Sequence, residues 1–443
     1  MAASGASIPL TRVPRRPGSS PQGFNSAVSL SNANEFAYLV PVSIGGQNFM
    51  VLLDTGSSDL WVVSSNCVGQ DCQGITKYNA TASSSLSLTN ASFHLQYLLG
   101  SVSGAIGTDT VALGSYEISS QVLALANATD GLDLSGTGYS GILGLSFPAD
   151  ASIPSTDGRT LAENVFASLN ESNRFFAFQL GRNQTGSSFT IGQLDPAFAN
   201  SSSDMNYLPV SSAGGSSYNY WKVPLQSLTI NSTTFNLSKS DVQGSATPIA
   251  ILDSGTTLIL GPSSDVQRFW ESVGDARNTD AGWQVRCNRA VVVGFILGDA
   301  GNQKEYVIDP SDISWEQGSG KQDGWCMGGI QANDGVFSGD WLLGDTFLRN
   351  VYVTHHAAIA SRPPMVGLRG LTDPVSSLAH FRQDRGNDST SPGQIYAQPY
   401  QSHDLTGADI CGIATACGFV FGLFLTFIVH SCLQRYDRKR VAY

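Results

Sequence analysis

The sequence predicts an all-β chain of two related lobes, followed by a single transmembrane helix close to its C-terminus. Three observations carry that expectation. Short apolar runs alternate with Gly, Ser, Asn and Asp clusters from Glu35 to Gly370; two pairs of motifs recur in the same order in the two halves; and an uncharged stretch of membrane-spanning length stands at 410–429.

The β reading rests on period and punctuation. Segments such as Phe36 to Ile44, Phe49 to Leu53 and Val351 to Thr354 are four to nine residues long and bounded by turn formers, the pattern of antiparallel strands. Helical signals are few and short, the best being Thr160 to Ser168 and Ser264 to Val273, the second after the start signal Gly261-Pro262-Ser263. Two lobes follow from size, because a single core stops growing at about 250 to 300 residues and the chain has 443. Only 13% of residues are charged and 47 are glycine, which suits a loop-rich β protein.

The duplication is the most informative feature. The first half carries Val51-Leu52-Leu53-Asp54-Thr55-Gly56-Ser57-Ser58 and, later, Gly141-Ile142-Leu143-Gly144-Leu145. The second half carries Ala250-Ile251-Leu252-Asp253-Ser254-Gly255-Thr256-Thr257 and Trp341-Leu342-Leu343-Gly344-Asp345. Matching order in both pairs points to two lobes of common descent. Each Asp-Thr/Ser-Gly triplet ends an apolar strand, with Gly56 or Gly255 allowing a tight turn and hydroxyls following to hydrogen-bond the carboxylate. Two such loops meeting on a pseudo-twofold axis would bring Asp54 and Asp253 together, and two touching carboxylates cannot both ionise cheaply.

These paired signatures resemble the pepsin family of aspartic proteases over roughly Glu35 to Gly370. The resemblance implies a bilobal pepsin-like fold with a cleft for an extended peptide, and an endopeptidase in which Asp54 and Asp253 activate a water. It implies that Thr55 and Ser254 tie the two loops together, and that Ser57 and Thr256 bond the outer carboxylate oxygens. Tyr97 corresponds to the tyrosine of a mobile hairpin that closes over substrate, and Trp61 to the tryptophan packed behind it. Leu98 and Leu99 depart from the family pattern, which has glycine and then a small or polar residue there. His355 and His356 stand where the family has Phe-Asp; adjacent strand residues face opposite ways, so packed or surface histidines are expected rather than a metal site. No metal and no cofactor are expected.

Cysteines and sequons speak for an oxidising route. Cys67 with Cys72 and Cys287 with Cys326 are expected as two local disulfides, neither pair having companions at zinc spacing, and both match disulfides of the family. Cys411, Cys417 and Cys432 lie in the terminal apolar segment. Nine sequons, at Asn79, Asn90, Asn127, Asn170, Asn183, Asn200, Asn231, Asn236 and Asn387, are glycosylation candidates and fit passage through the secretory pathway.

The remaining segments are read from composition. Residues 1–30 form a flexible arm or residual pro-segment, with Arg15-Arg16 as a candidate dibasic processing site. No apolar run of signal-peptide length stands in 1–23, so the expectation is a truncated or misassigned start. The lobes are expected at 31–210 and 211–370, a flexible stalk at 371–409, the transmembrane helix at 410–433 and a basic cytosolic tail at 434–443. With 35 acidic against 24 basic residues, the net charge of −11 disfavours a nucleic-acid partner and points toward an acidic working environment. The expected partners are peptides or proteins in extended form and the membrane, with the chain a monomer and its protease lobes extracellular or lumenal. Two rivals stay open here: a catalytically inactive peptide-binding or inhibitory protein on the same scaffold, and a wall-associated adhesive glycoprotein. Both triplets are intact, which favours the enzyme.

Overall fold

The same three-strand unit is built twice. In the first half Gln47–Asp54 runs parallel to Gly141–Gly144, with Asp54 opposite Gly144, and Leu60–Val63 lies antiparallel on the far side of Gly141–Gly144. In the second half Ile249–Leu252 runs parallel to Trp341–Leu343, which pairs antiparallel with Ile259–Gly261. Strands in such central parallel positions are buried on both faces, and this explains why the sequence reads there as continuous apolar runs rather than as alternation. The expected duplication is thus a duplication of topology.

The computed structural model describes residues 3–14, 36–183, 185–215, 217–316, 324–336 and 338–388. The chain divides into a unit at 1–396 and a second at 397–443; the expected transmembrane helix at 410–433 and the tail at 434–443 lie outside the described residues. No helix among the described residues is long and apolar enough to cross a membrane.

Four sheets form among the described residues, giving a mostly-β, bilobal architecture. One eight-stranded sheet contains Gln47–Asp54 and ends on the hairpin Ser87–Gln96 and Ser101–Leu113. A second contains Ile249–Leu252, and a small four-stranded sheet holds Gly282–Arg286 and Trp325–Gly328. The fourth, six-stranded, draws on both halves: Phe175–Gln179 pairs with Val351–His356, which pairs with Met365–Gly370. One large core, including Val51, Leu53, Leu143, Leu252, Trp341 and Phe347, runs beneath the loops that follow Asp54 and Asp253.

Both expected helices are present. Leu161–Ala167 starts at Thr160, whose side chain and that of Glu163 form a reciprocal capping box, and Ser263–Val273 follows Pro262 and ends at Gly274. Two stretches expected to be flexible carry structure. Ala6–Ile8 joins the six-stranded sheet beside Ser188–Ile191, and Thr11–Pro14 pairs with Phe36–Ile44, so the amino-terminal arm covers two sheet edges. Within the stalk, Asp373 caps a helix at Pro374–Arg385, anchored by buried Phe381 and by Arg385, which bonds the Cys287 carbonyl and pairs with Glu316. Both disulfides are formed, Cys67–Cys72 and Cys287–Cys326, with Cα separations of 6.1 and 4.9 Å.

Candidate active site

The loops after Asp54 and Asp253 interlock through four hydrogen bonds with twofold symmetry. Thr55 N–H donates to Ser254 Oγ (3.1 Å) and Ser254 N–H donates to Thr55 Oγ1 (3.0 Å). The two hydroxyls in turn donate across the boundary, Thr55 Oγ1 to the Leu252 carbonyl (3.0 Å) and Ser254 Oγ to the Leu53 carbonyl (2.8 Å). Each loop therefore depends on the other for its buried polar groups, and neither Thr55 nor Ser254 has solvent as a substitute.

This interlock sets the two carboxylates face to face. Asp54 accepts from the Gly56 N–H (2.7 Å) and the Ser57 hydroxyl; Asp253 accepts from the Gly255 N–H (2.8 Å) and Thr256 Oγ1 (2.7 Å). The glycines are required by approach: a Cβ at Gly56 would strike the Asp253 carboxylate, and one at Gly255 the Asp54 carboxylate. The downstream Gly strands fix the height of each aspartate. Leu145 N–H donates to the Asp54 carbonyl (2.7 Å), and Asp253 N–H to the Leu343 carbonyl (3.1 Å).

Burial dominates the electrostatics. Asp54 is 5% exposed and its carboxyl is pushed up to about 8, first by desolvation and then by the neighbouring Asp253 charge, against the pull of Ser57 and Gly56. Burial also raises Asp253, against its bonds to Thr256 and Gly255. The two groups hydrogen-bond each other, so the arrangement holds one proton between two oxygens well above the ordinary carboxylate range. A proton donor and a proton acceptor then stand at one point, which is what acid–base attack by a water requires.

Tyr97 closes one side. Trp61 Nε1 donates to Tyr97 Oη (2.8 Å), and Tyr97 also bonds Ser57, so a chain of contacts runs from the buried indole to the Asp54 carboxylate. Tyr97 lies at the end of the hairpin strand Ser87–Gln96, and Leu98 and Leu99 at its tip are exposed. His355 and His356 are buried and lie away from this centre: His355 packs against Phe176 and Trp221, and His356 stacks on Phe175 from the opposite face of the six-stranded sheet. All nine sequon asparagines are exposed.

Some residues near the site were not singled out from the sequence. Asp345 is buried, its carboxyl raised well above the ordinary range by desolvation against the opposing Arg349 charge, and its Oδ1 has no hydrogen-bond partner. Tyr220 hydrogen-bonds Asp150, whose carboxyl is pushed up to about 6 by burial. Aligning the two repeats sets Leu145 of the first against Asp345 of the second, and that mismatch was the available signal.

A family model described as eukaryotic aspartyl protease matches residues 37–361. Embryonic pepsinogen of Gallus gallus is 31% identical over 331 residues, covering 73% of this chain and 78% of the relative. Pepsin-3 of Oryctolagus cuniculus is 30% identical over 335 residues, covering 74% and 81%, and pepsin A of Sus scrofa is 30% identical over 334, covering 74% and 81%. With a family match across most of its length and a doubled Asp-Thr/Ser-Gly loop at its centre, the chain belongs to the eukaryotic aspartyl protease family.

Proposed function

We propose that the chain is an aspartic endopeptidase whose catalytic groups are Asp54 and Asp253. The observation that carries this reading is the shared-proton contact of two buried carboxylates, each held by its own glycine N–H and hydroxyl. The ionised member takes a proton from a water as it attacks the peptide carbonyl, while the protonated member delivers its proton to the carbonyl oxygen. The tetrahedral intermediate collapses when a proton returns to the amide nitrogen, and no covalent acyl-enzyme forms. Thr55 and Ser254 hold the loops in register, Ser57 and Thr256 orient the outer oxygens, and Tyr97, backed by Trp61, closes over an extended peptide. The machinery needs neither metal nor cofactor.

One proton must remain on the pair and one carboxylate must stay ionised, so activity fades as pH rises through the raised value of Asp54 and falls again where acid protonates both groups. The two disulfides and nine exposed sequons support a secretory setting, and the uncharged run at 410–429 followed by a basic tail supports a single-span anchor with the lobes extracellular or lumenal. We take the chain to act as a monomer.

The test is digestion of a denatured protein mixture across pH 2 to 7 by wild type and by Asp253→Asn, with and without a pepstatin-type inhibitor. Cleavage should be inhibitor-sensitive and fall by at least about 10³-fold in the variant. Near-normal cleavage by the variant refutes the dyad, and wild-type protein that binds peptides without cleaving them would make the chain a binding protein on this scaffold.

A further inference from the structure

A second tie between the two catalytic strands runs behind the dyad, and its middle member is Trp221. Leu145, whose N–H holds the Asp54 carbonyl at 2.7 Å, has its own carbonyl bonded by the Trp221 indole N–H at 2.9 Å. The Trp221 carbonyl in turn accepts from the N–H of Leu252 (3.1 Å), the residue directly before Asp253. Three hydrogen bonds therefore lead from the backbone of one aspartate to the backbone of the other. Leu145, Trp221 and Leu252 are all buried, away from solvent that could replace a lost bond, and bonds joined in such a chain reinforce one another.

This tie has no twofold copy. Leu39 pairs with Leu52, two residues before Asp54, and Lys222 pairs with Ile251, two residues before Asp253, so the counterpart of Trp221 is Tyr38. The Tyr38 hydroxyl donates to the Gly181 carbonyl (2.8 Å) and does not serve the second Gly strand. There Asp345 stands in the place of Leu145, and its carbonyl accepts from the Arg349 N–H (2.9 Å) in the turn that follows.

Packing aims the indole. Phe147 lies against it at a centroid distance of 4.4 Å, and His355 meets it edge-to-face at 4.7 Å. A buried tryptophan needs some acceptor for its N–H, and any carbonyl in reach would satisfy that need. Trp221 uses the one whose residue also supports Asp54.

Resting on the peptidase reading above, we propose that Trp221 is a positioning residue, whose indole N–H fixes the height of Asp54 relative to Asp253 and so the contact between the two carboxylates. Without that N–H the Asp54 strand settles independently of Asp253 and the contact lengthens. Trp221 lies behind the dyad, so kcat falls while KM is spared. Carboxylates further apart repel less, so the Asp54 carboxyl drops toward its ordinary range and the alkaline limb of kcat moves to lower pH. The titratable groups facing the pair are Tyr97, Tyr139, Tyr220 and Asp345, all retained in the variants below, and His355 beside the indole is held neutral over that limb.

The experiment measures kcat and KM on one peptide from about pH 3 to 8, with active sites counted by titration with a pepstatin-type inhibitor, for the full-length chain and three variants. Trp221→Phe removes the N–H and part of the ring. Trp221→benzothienylalanine keeps the ring shape and removes only the N–H, so it decides the matter even where the phenylalanine variant fails to fold. Tyr38→Phe removes the counterpart hydroxyl. Both Trp221 variants should lose at least about 10-fold in kcat per titrated site with KM within about twofold, and their alkaline limb should move to lower pH. Tyr38→Phe should keep the wild-type limb. A benzothienylalanine variant with wild-type kcat and limb overturns the proposal, whatever the phenylalanine variant does, and so does an equal shift in Tyr38→Phe; either result leaves the peptidase reading intact. Failure of wild type to cleave the peptide overturns the peptidase reading and this proposal with it.

Discussion

Replacing Asp54 by asparagine should make the protein more stable at neutral pH while abolishing activity. In the native state the Asp54 carboxyl titrates near 8 rather than at its ordinary 3.8, because it is buried against Asp253. A carboxyl raised in this way contributes its full stability below pH 4, where both folded and unfolded chains are protonated, and that contribution is lost as pH rises through the folded value. Each pH unit between the two values costs about 1.4 kcal/mol. By pH 7 wild type has therefore lost about 4 kcal/mol that it held at pH 4, a large share of the 5 to 15 kcal/mol typical of a domain. Asparagine cannot ionise and loses none of it. It does forfeit one acceptor for the Ser57 hydroxyl, costing about 1 kcal/mol at every pH. The variant should be about 1 kcal/mol less stable than wild type at pH 4 and about 3 kcal/mol more stable at pH 7, with Asp253 keeping the share due to its own burial. Urea midpoints at pH 4, 5, 6 and 7 for both proteins check this. Parallel profiles would mean that Asp54 does not hold a displaced proton, and the electrostatic account of the site would fail with it.

Three further outcomes follow from groups outside the dyad. His355 is lowered well below its usual value by burial and then by His356, and neither ring nitrogen has a hydrogen-bond partner; its stability contribution is present above about pH 6.5 and lost as pH falls, so His355→Phe should gain up to about 3 kcal/mol at pH 4 and almost nothing at pH 7, read from urea midpoints. Asp312 is fully buried between Arg349 and Arg182, the latter at 2.5 Å, so Arg349→Leu should cost about 3 to 5 kcal/mol in denaturant unfolding by leaving a buried carboxylate half-paired. The Cys287–Cys326 bridge closes a separation of 39 residues and Cys67–Cys72 only 5, so chain entropy predicts that losing the first costs about 4 kcal/mol and losing the second about 2; serine pairs at each site, compared by thermal unfolding, decide it.

The dyad and its interlock were legible because each element leaves a local mark. An apolar strand, a carboxylate, a glycine and a hydroxyl must follow one another directly, and the protein writes that string twice. Other features left no such mark. Ala6–Ile8 and Thr11–Pro14 are three and four residues long and become strands because two sheet edges are open to them, which no window of sequence records. The helix Pro374–Arg385 buries only Ser377 and Phe381, too few apolar positions to produce a helical period, and it depends instead on the Asp373 cap and on Arg385 reaching the Cys287 carbonyl.

The least legible chemistry lies where the two repeats differ. Symmetry explains how Asp54 and Asp253 meet, but a strictly symmetric pair of loops would give both carboxylates the same surroundings. In this chain the departures are one-sided. Leu145 follows the Gly strand of the first lobe, whereas Asp345 follows that of the second; Tyr97 and Trp61 reach the Asp54 side through Ser57. Burial and then the Asp253 charge set the shared proton on Asp54, whose partner Ser57 is held by Tyr97, while Asp345, itself raised, faces the charge of Asp253. The pair is therefore biased by groups that the duplicated motif does not contain. An acid and a base must differ to act in one step, so the asymmetry between the repeats is as necessary to the chemistry as the symmetry that brings them together.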